Sequence, residues 1–352
     1  MTGAPPLPQS TQPSLMAREA AEAPDVVARL VERNAGACSS LGARLRSAPP
    51  RFVVTCARGS SDSAATYAKY LIELSLGTVV ASVGPSISSV YRVKLGMRDA
   101  LFLAISQSGR SPDLLALARA ARADGALTIA IVNDAASPLA AACEIVLPLH
   151  AGPEASIAAT KTYLASLAAV LQMVSEWSDN ATLRDAVSRL PRALQTALGT
   201  DWRQAVGLLA SACELYVIGR GVGYAAAQEV ALKFKETCGI HAEAISAAEL
   251  MHGPLALAGA DFPVLILGQE DEALASLKAM AAELAAQGAT VIAAGPGVGW
   301  AGSPLPVVGG LHPFMQPIAN VQSFYALAEA ISRARGHDPD HPSHLRKVTE
   351  TV

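Results

Sequence analysis

The sequence predicts an α/β protein made of two tandem, doubly wound parallel sheets. Short apolar runs recur along the chain with amphipathic, helix-spaced segments between them, the pattern of strands shielded on both faces by helices. The two halves also carry the same Arg-Gly pair after their first apolar run. Finally, 352 residues with 51% hydrophobic content supply cores for two domains of ordinary size.

The elements follow in order. Residues 1–13 are Pro-rich and polar and read as a mobile tail. A helical segment over 14–35 starts at Ser14 and is interrupted at Pro24. The first unit, 36–180, holds the strands RFVVTCA (51–57), TVVAS (78–82), ALFLAIS (100–106), LTIAIVN (127–133) and EIVLPL (144–149). Helices reach Leu76 and Asp124 between them, and a closing helix spans Ile157 to Trp177. A linker is expected near 180–200. The second unit, 195–335, repeats the scheme with ELYVIGR (214–220), a helix carrying Glu229, FPVLILG (262–268), ATVIAAG (289–295) and LPVV (305–308). Its helices end near Gln287 and Arg335, and the stretch from His241 reads as a loop. Residues 336–352 are Pro-rich and aperiodic, which composition alone would call a frayed end. VVTCARG (53–59) and LYVIGRG (215–221) place Arg58-Gly59 and Arg220-Gly221 at equivalent strand-to-helix turns. This suggests duplication of one unit, although any two α/β turns can share Arg-Gly.

Composition excludes several functions. A net charge of −3 and a pI near 6.2 give no basic field for nucleic acid. Cys38, Cys56, Cys143, Cys213 and Cys238 are scattered without CxxC spacing, and read as small buried hydrophobes in a reducing compartment. No apolar run is long enough to span a membrane and no leader pattern opens the sequence, so a cytoplasmic protein is expected. His337, His341 and His344 could be read as metal ligands, but no acidic or Cys partner set accompanies them, and neither a metal nor another cofactor is expected.

Ligands in doubly wound sheets bind beyond the carboxyl ends of the strands. There the first unit reads Ser106-Gln107-Ser108-Gly109-Arg110-Ser111-Pro112-Asp113. Hydroxyls and an amide can donate to phosphate oxygens, Gly109 allows a tight turn, and Ser111-Pro112 starts a helix whose free N–H groups face the anion. A capped turn alone needs only Ser111-Pro112. The turn Gly59-Ser60-Ser61-Asp62-Ser63 is a second hydroxyl-rich candidate, though capping would explain its serines too. The equivalent third turn of the second unit, Leu267-Gly268-Gln269-Glu270-Asp271, has two acids and no hydroxyl. One ligand per chain is therefore expected, with acid/base groups coming from the other unit.

Those groups are concentrated between Glu229 and Pro254, EVALKFKETCGIHAEAISAAELMHGP. Glu229, Lys233 and Glu236 at i, i+4 and i+7 fall within roughly 60° of one another on a helix, while Val230, Ala231 and Phe234 point elsewhere. A carboxylate base beside an ammonium fits acid/base work; a solvated surface helix would show the same pair.

The run E-x-A-L-K-x-K-E, then I-H-A-E-A, then E-L-x-H-G-P-L resembles the isomerase half of glucosamine-6-phosphate synthase and its stand-alone relatives, the two-SIS-domain (sugar isomerase) aminosugar-phosphate deaminases and isomerases. Met16-Ala-Arg-Glu19-Ala-Ala-Glu22-Ala-Pro24, Glu154-Ala-Ser-Ile157-Ala-Ala159-Thr160-Lys161 and the tail Asp338-Pro-Asp-His341-Pro-Ser-His344-Leu-Arg-Lys347-Val-Thr extend the likeness over residues 16–352. The synthase pattern has a serine where Ala159 stands, so one sugar contact is missing.

The resemblance implies flavodoxin-like SIS domains, no cofactor, and a sugar phosphate held by Ser61, Ser106, Gln107, Ser108 and Ser111, with Ile157 and Glu229 also at the substrate. It implies Glu236 as the proton shuttle between C2 and C1, Lys233 beside the developing oxyanion, and His252 at ring opening. Lys347 would reach the open-chain carbonyl from a tail folded over the site. In the family the histidine comes from a neighbouring subunit, so a homodimer is expected. The synthase begins with a glutaminase domain, whereas this sequence begins Met1-Thr2 and enters the isomerase half at once. The expectation is therefore release of ammonia from glucosamine 6-phosphate to give fructose 6-phosphate. Galactosamine-6-phosphate deaminase, a fructosamine-phosphate deglycase and a non-catalytic sugar-phosphate sensor are the alternatives.

Overall fold

The computed structural model describes residues 12–347. The mobile tail expected over 1–13 lies almost wholly outside the described residues, as do 348–352 of the C-terminal tail. Helix α1 (Leu15–Ala21) begins at Ser14, whose hydroxyl accepts a hydrogen bond from Ala17 N. In α2 (Ala23–Ser47) Pro24 occupies the first turn, where a missing N–H is harmless. Pro24 thus starts a helix, and that helix runs twelve residues past the expected end at 35 because Val27, Leu30, Cys38, Leu41 and Leu45 keep one face buried.

The first sheet is built from β1 (Phe52–Cys56), α3 (Ser60–Leu76), β2 (Val80–Ser82), α4 (Ser86–Ser89), β3 (Ala100–Ser106), α5 (Pro112–Ala123), β4 (Leu127–Val132), α6 (Pro138–Ala142) and β5 (Ile145–Pro148). Helices α7 (Lys161–Trp177), α8 (Ala181–Leu198) and α9 (Val206–Leu209) lead to the second. That unit comprises β6 (Glu214–Gly219), α10 (Gly223–Cys238), β7 (His241–Ser246), α11 (Ala247–Leu250), β8 (Val264–Leu267), α12 (Leu274–Ala286), β9 (Val291–Ala294), β10 (Ser303–Leu305) and α13 (Gln316–Ala334).

Both sheets are wholly parallel and five-stranded, ordered β2-β1-β3-β4-β5 and β10-β9-β8-β6-β7. Read from opposite edges these are one topology, with the order reversing between β1 and β3 and between β6 and β8. The duplication suggested by the Arg-Gly turns is therefore present in strand order.

One apolar cluster joins the units, running from Leu30 and Leu71 through Leu171 to Val217, Phe234 and Phe324. At its centre lies α7, in which every residue but Glu176 is buried. Smaller clusters cover the far face of each sheet.

Several expectations need correction. The stretch from His241, read as a loop, is edge strand β7, paired along its length with β6. Ala242 and Ile245 are buried while His241 and Glu243 face solvent, and charged residues on an edge strand hide its period. The expected linker near 180–200 is helix α8, started by Asn180, whose side chain accepts from Thr182 N and Leu183 N. Pro191 sits inside it. The closing helix starts at Lys161 rather than Ile157, and the last strand precedes LPVV, at Ser303–Leu305. Cys213 is exposed, unlike the other four cysteines. No helix among the described residues is long and apolar enough to cross a membrane.

Candidate active site

At the reversal point of the first sheet, β1 and β3 diverge into turns that end at the N-termini of α3 and α5. Gly59 and Gly109 make these turns at φ 56° and 62°. A Cβ on Gly109 would lie 2.2 Å from Ser137 Oγ, so the turn is both left-handed and packed tight. Ser106 Oγ accepts from Gly109 N at 3.0 Å, and Ser108 Oγ accepts from Arg110 N at 3.3 Å. Arg58 ties the two turns together, donating to the buried Asp113 carboxylate at 2.7 and 3.1 Å. Ser111 is the N-cap of α5 yet its hydroxyl makes no capping bond.

These turns wall a cleft of about 260 Å³. Ser60, Ser61, Ser106, Gln107, Ser108 and Ser111 line it together with Ile157, Ala159, Glu236 and Lys347. Glu236 is the only carboxylate among the described residues that line it. It arrives from the second unit because α10 lies against α3, bringing Lys233 Nζ to 3.1 Å from Ser60 Oγ.

Lys233 and Glu229 stand behind the cleft, not on a solvated face: they are 1% and 0% exposed. The surface-helix alternative therefore fails. Lys233 Nζ donates to Glu236 Oε2 at 2.5 Å and lies 3.5 Å from Glu229 Oε1. Burial pulls the Lys233 pKa down, but the Glu229 and Glu236 carboxylates outweigh it and the ammonium is retained. Burial pushes Glu229 from 4.5 to about 7, with Lys233 opposing the rise and Glu236 adding to it. Tyr325 donates to Glu229 Oε1 at 3.2 Å.

Lys347 closes the mouth. Its Nζ donates to Ser156 O at 2.5 Å and to Glu154 Oε2 at 3.3 Å. The fully buried Glu154 carboxylate also accepts from Thr160 N, Thr162 N and Thr162 Oγ1, which shapes the loop bearing Ile157.

Of the sequence candidates, Ser61, Ser106, Gln107, Ser108, Ser111, Ile157, Glu236 and Lys347 meet around this cleft. His252 does not. It is exposed after α11 and lines a separate depression with Tyr70, Tyr224 and Glu249. Tyr325 escaped notice in the sequence, and Ser60 and Glu154 were marked there only as parts of their segments, with no role of their own. Ser60 had only its neighbourhood to Ser61 to mark it, and Tyr325 lies on α13, 96 residues from Glu229, with no local signal.

The second unit's equivalent position is filled. Gln269, 1% exposed, donates to Arg220 O and Asp271 Oδ2, both at 2.8 Å. Its Oε1 would lie 2.4 Å from a Cβ on Gly223.

A profile of the SIS domain matches residues 48–176 and 208–294, covering the first sheet and all of the second but β10. The chain belongs to the SIS domain family. A glutamine–fructose-6-phosphate aminotransferase of Pseudomonas aeruginosa is 35% identical over 94% of this chain and 58% of its own length. The SIS chain thus spans little more than half of that relative. A Silicibacter pomeroyi protein proposed to be a phosphosugar isomerase is 44% identical, with a TM-score of 0.89 over 93% of this chain and 100% of that one. Glucosamine-6-phosphate deaminase of Thermotoga maritima shares the fold, at 19% identity and a TM-score of 0.76 over 96% of this chain and 100% of its own.

Proposed function

We propose that this SIS protein is a phosphosugar isomerase and, more narrowly, that it converts glucosamine 6-phosphate to fructose 6-phosphate and ammonia. The observation that carries the reading is that one carboxylate, Glu236, lines a small cleft together with an array of hydroxyls and two helix N-termini. The array suits a phosphate dianion, and one carboxylate within reach of adjacent carbons suits proton transfer between them.

The phosphate sits at Ser61, Ser106, Gln107, Ser108 and Ser111. Glu236 takes the C2 proton of the open-chain amino aldehyde and returns it to C1 through an enolamine. This leaves a C2 imine, which water hydrolyses to the ketone and ammonia. The Lys233 ammonium beside Glu236 offsets charge on the oxygen at C1. Lys347 leaves Glu154 to donate a hydrogen bond to the C1 carbonyl oxygen.

His252 opens the ring across a homodimer contact. Its exposure outside the cleft of its own chain supports this assignment. The names of the relatives support the substrate class.

A panel of glucosamine, galactosamine and fructosamine phosphates, assayed for ammonia and ketose with binding measured in parallel, tests the reading. Ammonia from glucosamine 6-phosphate is the expected result. Binding without turnover of any member would replace the enzyme with a sensor. Mixing Glu236→Gln with His252→Ala chains should restore activity through mixed dimers; no recovery would place both roles in one chain.

A further inference from the structure

The short helix α1 touches both the C-terminal tail and the loop opposite the phosphate turns. At its start, Asp340 of the tail accepts from Leu15 N at 2.7 Å through Oδ2 and from Met16 N at 2.8 Å through Oδ1. Asp340 is itself fixed by Asp338, whose Oδ1 accepts from Asp340 N at 2.9 Å. Near the end of α1, the buried Glu19 accepts from Ala155 N at 2.5 Å and from Ser156 N at 3.1 Å, one bond to each carboxylate oxygen. One residue beyond the helix, Glu22 pairs with the buried Lys161 at 2.7 Å. Ser156 is also where Lys347 lands, through the carbonyl on the other side of the same residue.

From these contacts we infer that α1 is a strut that sets Lys347, with Asp340 and Glu19 as positioning residues for the reaction proposed above. The closure is geometric. Asp340 fixes the tail seven residues before Lys347, and Glu19 fixes the peptide that receives its ammonium. Both ends are carried on one helix of about two turns. Neither carboxylate lines the cleft, so each acts only through Lys347 and the 154–157 loop. The bonding pattern is specific. Each carboxylate uses both oxygens as acceptors from two successive N–H groups, so an amide in its place offers one acceptor and turns a donor against a donor.

The inference rests on Lys347 acting in turnover, and the experiment separates the two. In the first arm, Lys347 is labelled in the full-length chain with an amine-reactive acetylating reagent, and its rate is followed by peptide mass spectrometry. Asp340→Ala, Asp340→Asn and Glu19→Gln should each speed labelling of Lys347 several-fold while leaving exposed lysines such as Lys94 unchanged. Asp340→Glu, which keeps two acceptor oxygens, should restore much of the protection. Equal labelling of wild type and all variants overturns the strut, whether or not the protein is an enzyme.

The second arm measures steady-state kinetics. The same variants should lower kcat by about 10- to 100-fold with a smaller change in affinity for the phosphate-bearing ligand. In a Lys347→Met background the Asp340 and Glu19 substitutions should have no further effect on residual turnover. Additive losses there would mean that these residues act elsewhere and would refute the positioning role. No turnover in wild type on any sugar phosphate would sink the enzymatic reading while the labelling arm still decides the strut.

Discussion

The two units share strand order and the Arg-Gly turn, yet one holds a cleft at its reversal point and the other holds Gln269. In the first, small hydroxyl side chains leave space and unspent donors. In the second, a long amide reaches back to Arg220 O and spends its donors inside the protein. The difference shows how a duplicated fold divides labour: plugging one copy costs only a side chain, and frees its neighbouring helix to serve the other copy. Helix α10 follows the equivalent turn of the plugged unit, and it delivers Lys233 and Glu236 across the boundary.

The sharpest way to break this division is Glu236→Gln. Turnover should fall by about 10³-fold while calorimetric affinity for the sugar phosphate holds; full activity would remove the second unit from the chemistry.

Next comes the buried helix behind it. Glu229 keeps its proton to about 7 when folded and releases it near 4.5 when unfolded. The folded state then binds more protons between those values, so the stability contributed is complete below about 4.5 and lost as pH rises to about 7. Urea unfolding at stepped pH should show wild type losing ground to Glu229→Gln across that window, by at most on the order of 3 kcal/mol. A constant gap would show that the carboxyl is already ionised throughout.

A smaller effect separates ligand contact from capping. Because the Ser111 hydroxyl makes no capping bond, Ser111→Ala should weaken sugar-phosphate binding about tenfold with little change in melting temperature. A loss of stability with affinity intact would return Ser111 to the helix alone.

The smallest effect concerns the plug. Gln269→Ala leaves Arg220 O with Gly223 N as its remaining donor and empties a buried position, and should cost about 1 to 2 kcal/mol of stability without altering KM. A changed KM would mean that the second reversal point is not inert.

Much of this was legible in the sequence. Strands buried on both faces announced themselves as apolar runs, and the hydroxyl-rich turn after ALFLAI stood out because capping did not require it. The Glu229 helix was recognised by spacing, but spacing cannot tell a buried charge triad from a solvated one. That depends on α3 and α13, which close over it from distant sequence. Strand β7 was hidden by its exposed charges, and α8 by Pro191. Asp340 and Glu19 looked like ordinary acids near the chain ends, because what makes them matter are contacts spanning 324 and 325 residues for Asp340 and 136 and 137 for Glu19.

Helix α7 has a consequence for the history of the molecule. With nearly every side chain buried in a cluster common to both sheets, it belongs to neither copy alone. A polypeptide severed after it would bare apolar surface on both fragments. The repeat remains readable in strand order, but the two copies share one core and are not separable modules.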